Sequence, residues 1–222
     1  MKISVVIPTL DEAERIAGAV GSAVAPGVEV VVVDGGSRDG TVRLARDAGA
    51  RVLAGERGRA RQLRLGSEAS TGEAVLFLHA DTRLPPGWPG CVARALSDPD
   101  CAGGAFRLRF AERGLRERGI EWGVRLRVAL FGLPYGDQAL FVRRSVLEQM
   151  GGLPIVAVME DLDLVRAIKR AGRLRIVEAS ATTSARRYAR AGALRTVWRH
   201  QTALLGWWLG WDRERLAARL GR

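Results

Sequence analysis

Polar residues that could bind a ligand follow directly after apolar stretches of the sequence. Asp34 comes after four consecutive valines at 30–33, and His79 comes after the apolar run 74–78. Continuous apolar runs of this length are typical of buried parallel strands. Because ligands of open α/β sheets bind outside the carboxyl ends of the strands, we expect these side chains to face one shared crevice.

Asp34 also has a purely structural interpretation. A glycine turn follows it at Gly35, and Ser37 with Asp39 can start a helix at Thr41. The carboxylate of a turn or N-cap aspartate would accept hydrogen bonds from nearby backbone N–H groups. Since other polar residues also fall at strand ends, we favour a ligand contact for Asp34 and the helix-start role for Asp39.

His79 and Asp81 form the second candidate pair. Two residues apart on an extended segment, their side chains point to the same side. A carboxylate and an imidazole suit Mg²⁺ or Mn²⁺ that bridges to a diphosphate. The alternative is a surface histidine and a turn aspartate ahead of Pro85.

Arg59 and Arg61 lie in a Gly/Arg-rich loop, 55–62, that enters a predicted helix. Arginines at a helix N-terminus oppose the helix dipole, so this position favours an anion such as phosphate. A solvated basic face explains the same residues equally well.

Carboxylates and an amide lie in two later segments. Glu160, Asp161 and Asp163 begin a predicted helix whose basic residues lie near its C-terminus, so the dipole explains their polarity. The dipole does not require three acids, which makes one of them a candidate general base. Asp137 and Gln138, between a glycine turn and a predicted strand, suit a turn or a substrate contact.

Composition and charge narrow the class of protein. The 222 residues suffice for one good-sized domain, and 47% hydrophobic with 27% charged residues is ordinary for a globular protein. A net charge of +11 suits an anionic partner: a nucleotide diphosphate, a nucleic acid or a membrane surface. Cys91 and Cys101 show neither metal-ligand spacing nor a disulfide framework, and we see no signal peptide or membrane span. We therefore expect a cytoplasmic protein.

The order of apolar runs predicts an α/β fold with a mostly parallel sheet flanked by helices. Residues 9–14 supply the cap and acidic first turn of the first helix. Predicted strands lie at 2–7, 30–33, 51–53, 74–78, 103–110 and 139–142. Predicted helices lie at 11–24, at 39–48, from the loop 55–62 to about 70, and at 87–96, 113–130, 144–150 and 160–171. Part of the segment 113–130 also fits the period of a strand.

The C-terminal segment is basic and rich in tryptophan. Residues 186–222 hold nine arginines, together with Trp198, Trp207, Trp208 and Trp211. We expect a domain over 1–180 and a helical extension, 181–222, that packs on it. Aromatic residues beside basic ones also suit the inner face of a membrane, so peripheral association is the alternative.

Five motifs, which follow one another in the family's order, resemble those of the family 2 glycosyltransferases of the Rossmann-like GT-A fold. They are Ser4 to Glu12, Val33 to Thr41, His79 to Asp81, Gly136 to Gln138, and Glu160 with Asp161. The resemblance covers nearly all of residues 1–175. His79 to Thr82, the segment 58–62 and the segment 183–187 are similar to a bacterial subgroup of arsenosugar-biosynthesis-type glycosyltransferases. The resemblance implies transfer of a sugar from a nucleotide diphosphate sugar, with a small-molecule or lipid acceptor.

The resemblance also implies residue roles. The residues expected to bind the nucleotide sugar are Pro8, Thr9, Glu12, Asp34, Gly35, Arg59, Arg61, His79, Ala80 and Asp81. Asp34 would accept a hydrogen bond from the uracil or another base. Mg²⁺ or Mn²⁺ would lie on Asp81, and Gly136, Asp137 and Gln138 would line the acceptor side. Asp161, beside Glu160, would be the catalytic base of an inverting enzyme, and we expect Arg186 and Arg187 at the diphosphate.

One departure from the family pattern concerns the metal. His79 replaces the first aspartate of the family's Asp-x-Asp motif, which removes a negative charge, so we expect either weaker metal binding or a contact of His79 with the sugar nucleotide alone.

Two rival functions use the same features. A nucleotidyltransferase would carry a Gly-rich phosphate loop after the first strand, where this chain has Pro8 and Thr9. A nucleic-acid-binding protein would suit the charge, but the chain shows no helix-turn-helix, RNA-binding or zinc signature. We therefore expect no nucleic-acid partner; self-association stays open.

Overall fold

A computed structural model of the protein describes residues 1–186 and 193–220. Within them, eight strands form one sheet in the order β3-β2-β1-β4-β7-β6-β8-β5. The strands are β1 (Ile3–Thr9), β2 (Val28–Asp34), β3 (Arg51–Ala54), β4 (Ala74–Phe77), β5 (Thr82–Arg83), β6 (Cys101–Phe110), β7 (Phe141–Arg143) and β8 (Arg173–Thr183).

Helices lie between these strands and after the last of them. They are α1 (Ala13–Ala23), α2 (Thr41–Asp47), α3 (Arg59–Ala69), α4 (Trp88–Leu96), α5 (Leu115–Phe131), α6 (Arg144–Gln149), α7 (Glu160–Ala171), α8 (Ala193–Trp208) and α9 (Arg213–Leu220). A short 3-10 helix, Gly136–Gln138, lies between α5 and β7.

The sheet is mixed, with a parallel half. β1 pairs in parallel with β2 and β4, and β2 pairs in parallel with β3. β7 is antiparallel to β4 and β6, whereas β6 and β8 are parallel. The predicted α/β fold with crossover helices is confirmed; the antiparallel insertion of β7 was not predicted.

Both faces of the parallel half are buried. Val5 and Ile7 of β1 belong to one hydrophobic cluster, whereas Val6 between them belongs to the other, with Val75 and Phe77 of β4. Successive residues of a strand point to opposite faces, so a strand covered on both sides needs an unbroken apolar run.

Two local predictions differ from the structure. The strand predicted from residue 139 begins at Phe141, because Ala139 has a left-handed backbone with φ of 47°. Helix α1 begins after Glu12, which makes no side-chain cap, so the cap predicted within residues 9–14 is wrong.

The C-terminal helices contact the main body around α7. The indole N–H of Trp207 donates to Asp163 at 2.8 Å, and Arg213 pairs with the same carboxylate at 3.0 Å. Leu216 of α9 packs on Val158. In the part of the chain that the structure describes, no helix has the length and apolarity to cross a membrane. The domain boundary near 180 stays a prediction.

Candidate active site

A cleft of about 200 Å³ opens at the carboxyl ends of β1 and β4. It is lined by Pro8, Thr9, Leu10, Glu12, Arg59, Gln62, His79, Ala80, Asp81 and Arg186. The sequence predicts all of these residues as site residues except Leu10 and Gln62. Two of the lining segments, 8–12 and 79–81, lie at the ends of β1 and β4, where they were expected, and the segment 59–62 and Arg186 join them in the cleft.

Gln62 holds the two central strand ends together. Its side-chain N–H group donates to the backbone carbonyls of Thr9, at 2.7 Å, and of Val33, at 2.8 Å. Gln62 is 5% exposed. No role was predicted for it, because no local sequence pattern indicates contacts with two strand ends that lie far from it in the chain.

The loops after β1 and β2 are bound to each other. The Asp39 carboxylate accepts from the N–H of Ala13, at 3.2 Å, and of Thr41, at 2.9 Å, so it serves the starts of both α1 and α2. Asp11 accepts from the N–H of Arg38 at 2.8 Å. The predicted helix-start role of Asp39 is confirmed, and Asp39 also replaces the missing local cap of α1.

The Asp34 carboxylate binds its own loop. One oxygen accepts from the N–H groups of Gly36, at 3.0 Å, and Ser37, at 2.9 Å, and the other accepts from the Ser37 hydroxyl at 2.5 Å. Asp34 is 7% exposed, and neither it nor Gly35 is among the residues that line the cleft. The turn interpretation therefore describes these contacts, and the predicted contact with a nucleotide base stays a prediction.

Arg59 connects α3 with the start of α7. Helix α3 begins after Gly58, whose φ of 135° is a glycine conformation. The Arg59 guanidinium forms an ion pair with Glu160 and lies 3.5 Å from Asp161. Burial lowers the pKa of Arg59, but Glu160, Asp161 and Asp137 outweigh it, so the pKa is raised and the guanidinium stays charged. The sequence predicts an anion such as phosphate beside Arg59. In the structure, the negative charge beside Arg59 comes from the carboxylates of Glu160 and Asp161.

Glu160 and Asp161 differ in access. The side chain of Glu160 is 3% exposed and faces Arg59, whereas that of Asp161 is 15% exposed. Asp161 is therefore the more accessible of the two, although neither lines the cleft itself, and Glu160 holds Arg59. Their catalytic roles stay predictions.

Gly136 lies where three site residues converge. Its N–H donates to Asp161 at 2.9 Å. A Cβ at Gly136 would lie 2.7 Å from a guanidinium nitrogen of Arg59, 3.0 Å from Nε2 of His79 and 3.3 Å from Oδ2 of Asp161. The absence of a side chain at this position is therefore what allows the three groups to approach one another.

The rest of the predicted acceptor segment faces the protein interior. Gln138 is 2% exposed; its amide donates to the carbonyl of Phe106, at 3.0 Å, and accepts from the N–H of Tyr135, at 3.3 Å. Asp137 contributes to the charge around Arg59. These contacts fix the loop, and the predicted acceptor contacts of Asp137 and Gln138 stay predictions.

Arg186 lines the same cleft as Arg59. It forms an ion pair with Glu12 and lies 3.6 Å from Asp81. Burial lowers the pKa of Arg186, but Glu12 and Asp81 raise it by more. Arg187 lies outside the described residues. Arg61 is apart from this cleft, 52% exposed and 3.5 Å from Glu56, whereas Arg59 lines it. The contact of Arg59 or Arg61 with the nucleotide or diphosphate stays a prediction.

A metal would have few protein ligands in this cleft. Across 1–186 and 193–220, no three His, Cys, Asp or Glu side chains cluster as a metal site. Asp81, 12% exposed, lines the cleft with His79. Mg²⁺ commonly takes one or two protein carboxylates and completes its shell with substrate phosphates and water. Asp81 fits a site of that kind, in which a bound diphosphate and water would supply the remaining ligands.

Residues 4–151, more than half of the chain, match the protein family described as "Glycosyl transferase family 2". No curated protein matches the chain significantly.

Solved structures share its fold. Glucosyl-3-phosphoglycerate synthase from Mycobacterium tuberculosis, determined with Mn²⁺, UDP and glucosyl-3-phosphoglycerate, superposes with a TM-score of 0.67 at 23% identity, over 95% of this chain and 81% of that one. TarS 1-349 from S. aureus with UDP-GlcNAc gives 0.65 at 19% identity, over 83% of this chain and 58% of that one. The chain spans only 37% of a longer TarS structure.

Proposed function

Because the chain belongs to glycosyl transferase family 2 and is a glycosyltransferase, we propose that it transfers a sugar from a nucleotide diphosphate sugar to an acceptor hydroxyl with inversion at the anomeric carbon. The donor class that we favour is the UDP sugars, since the similar TarS structure contains UDP-GlcNAc and the similar mycobacterial synthase contains UDP. The acceptor is a small molecule or a lipid.

The observation that carries this proposal is the position of Asp161. Its Oδ2 and the His79 Nε2 both lie within 3.3 Å of the position that a Cβ would take at Gly136. His79 also lines the cleft, together with Asp81. A sugar whose diphosphate lies at Asp81 and Arg186 would then have Asp161 within reach of its anomeric side. Asp161 takes the proton from the acceptor hydroxyl as that oxygen attacks the anomeric carbon.

Basic groups of the cleft would stabilise the negative charge on the leaving diphosphate. The Arg186 guanidinium, held by Glu12, presents donors to an oxyanion, and Arg59, which pairs with Glu160, adds positive charge at the same cleft. A bound Mg²⁺ or Mn²⁺ would lie on Asp81 and neutralise developing charge on the diphosphate. His79 supplies a ring nitrogen in place of a carboxylate, so this site carries less negative charge than an Asp-x-Asp pair.

Membership of the family supports a transferase over the nucleotidyltransferase and nucleic-acid-binding alternatives. The arsenosugar-biosynthesis subgroup, the cytoplasmic location, self-association and the membrane contact of the C-terminal segment stay predictions. In that segment Trp198 is 71% exposed and Trp208 is 75% exposed, whereas Trp207 is hydrogen-bonded to Asp163.

A thermal-shift panel tests the donor. UDP-, GDP- and ADP-linked sugars are added with and without Mn²⁺, and a ligand that binds only the folded chain raises Tm by mass action. We expect one nucleotide class, UDP, to stabilise the protein, more strongly with Mn²⁺. Asp81→Asn serves as the matched variant and should lose the Mn²⁺-dependent part. Absence of any shift with every nucleotide sugar would overturn the proposal.

A further inference from the structure

Helix α5 exposes a stripe of large apolar side chains to solvent. Leu115 is 88% exposed, Trp122 65%, Leu126 42% and Leu130 65%. At about 100° per residue these four lie within an arc of about 80° on the helix. A stripe this large on one helix is more than the scattered surface hydrophobics that soluble proteins usually carry.

The opposite face of α5 is covered up to Val128, and only Phe131 at its end is 62% exposed. Val124 is 8% exposed and packs with Leu108 and Phe110, and Ile120 and Val128 lie against the same cluster. The helix is thus apolar on two opposite faces. Packing against the protein explains the inner face and leaves the outer stripe without a role in the fold.

The charges beside the stripe have one sign. Arg118 and Arg125 lie along one edge of it and Arg116 along the other, all three exposed. The acidic residues of α5 are less accessible: Glu117 is half-buried, and Glu121 is buried, where it accepts from the N–H of Phe110 at 2.7 Å. A tryptophan and leucines between arginines are the pattern of a helix that lies in the headgroup region of an anionic bilayer.

We propose that the outer face of α5, formed by Leu115, Trp122, Leu126 and Leu130 with the flanking arginines, docks on an anionic membrane surface. The charges favour this occupant over a second copy of the chain. A two-fold interface built on this face would bring the arginines of the two copies together. The net charge of +11 acts in the same direction, since it attracts the whole molecule to anionic lipid.

The inner edge of α5 connects this surface with the cleft. Arg127 donates to the carbonyl of Leu133 at 3.1 Å, stacks over the ring of Tyr135 at 3.5 Å and lies 3.4 Å from the amide oxygen of Gln138. The loop that holds Gly136 is therefore anchored to α5. Docking through α5 places the acceptor side of the cleft next to lipid, which favours an amphiphilic acceptor held in the bilayer; this last step rests on the proposed function.

Co-sedimentation with vesicles tests the surface. Phosphatidylcholine vesicles with and without phosphatidylglycerol are compared, and we expect binding to the anionic vesicles that falls with added salt. Trp122→Ser and Leu126→Ser should each lower the partition coefficient by about tenfold. Arg118→Gln and Arg125→Gln should each lower it by about fivefold on anionic vesicles.

Control variants distinguish docking through α5 from a general effect of exposed apolar residues. Val24→Ser, which alters a 51% exposed apolar residue at the end of α1, should leave binding unchanged. The donor-induced rise in Tm should persist in the double variant Trp122→Ser/Leu126→Ser, so a failure of docking is distinguishable from a failure of the proposed function.

Three outcomes overturn the proposal. The first is no binding to anionic vesicles, and the second is binding that survives Trp122→Ser/Leu126→Ser but disappears in Trp198→Ser/Trp208→Ser, which would assign the contact to α8. The third is light scattering that shows a dimer which Trp122→Ser converts to a monomer, because the stripe would then be an interface between copies.

Discussion

The carboxylate of Asp161 and the backbone N–H of Gly136 are joined by a hydrogen bond of 2.9 Å. The other Asp161 oxygen accepts from the N–H of Leu162 at 3.0 Å, and Arg59 lies 3.5 Å from the carboxylate. The orientation of Asp161 is therefore set by the chain before any substrate binds, which is the arrangement that a general base needs.

Asp161→Asn should abolish most transfer and keep donor binding. The amide oxygen still accepts from Gly136, but the side chain cannot take a proton from the acceptor. Loss of a positioned base typically lowers the rate by about 10²–10⁴-fold. Steady-state transfer measures the loss, and the donor-induced rise in Tm should equal that of the parent protein.

A matched control for this variant lies on the same helix. Asp163 accepts from Trp207 and pairs with Arg213 instead of facing the cleft. Asp163→Asn should lower Tm and leave kcat unchanged. Transfer at the parent rate by Asp161→Asn would show that the base is another group.

Gly136→Ala should impair transfer more than it impairs folding. The new Cβ would approach Arg59 to 2.7 Å, His79 to 3.0 Å and Asp161 to 3.3 Å, so site residues must move to admit it. Misplacement of reacting groups by about 1 Å can lower a rate by about 10²-fold. Steady-state transfer and urea unfolding together distinguish the two effects.

Gly21→Ala is the control for the glycine substitution. An added Cβ at Gly21, in α1, meets nothing within 4 Å. Replacing a glycine in the last turn of a helix by alanine should raise the free energy of unfolding by up to about 0.5–1 kcal/mol without a change in transfer. If Gly136→Ala were as active as Gly21→Ala, the close approach at Gly136 would have no catalytic importance.

Local signals were sufficient to predict much of the fold. The valines of β2 and the apolar run of β4 indicate strands regardless of what they pack against. The order of strands and helices limits the possible sheet topologies. The antiparallel position of β7 depends on a pairing with β4 across the structure, which no local pattern encodes. Helix α5 was ambiguous because its apolar residues fall on two opposite faces.

The site was predictable where residues follow strand ends. Thr9 and Asp81 lie in the cleft for that reason, and the family resemblance added Arg186. The bond from Gln62 to the carbonyl of Thr9 spans residues 53 apart, and that from Gly136 to Asp161 spans residues 25 apart. Such contacts are set by tertiary packing, so the sequence alone does not reveal them.

Glu29→Gln should lower stability in a pH-dependent way. Glu29 accepts from the Ser4 hydroxyl at 2.7 Å, from the N–H of Thr71 at 2.8 Å and from Arg51 at 3.2 Å. Burial raises the pKa of Glu29, but these contacts outweigh it and hold the pKa below 4.5. The carboxylate therefore stabilises the fold above pH 4.5, and this contribution is lost as pH falls through the folded-state pKa.

Urea unfolding at neutral pH and at acid pH measures this effect. Loss of the carboxylate should cost about 1–3 kcal/mol at neutral pH, and the difference from the parent should shrink in acid. Glu68→Gln, which alters a 53% exposed partner of Arg64, should change stability by less than about 0.5 kcal/mol. A cost for Glu29→Gln that is independent of pH would show that its charge is not what the contacts stabilise.

Arg186→Gln should change diphosphate and metal binding in opposite directions. Arg186 pairs with Glu12 and lies 3.6 Å from Asp81, so its removal takes a positive charge from both the proposed diphosphate site and the proposed metal ligand Asp81. Hydrogen bonds to charged groups contribute about 1.5–3 kcal/mol, so UDP affinity should fall by about tenfold or more. Mn²⁺ affinity without nucleotide should rise, because Asp81 loses a cationic neighbour. Titration calorimetry measures both, with the exposed Arg43→Gln as control; weakening of both ligands by Arg186→Gln would contradict this assignment.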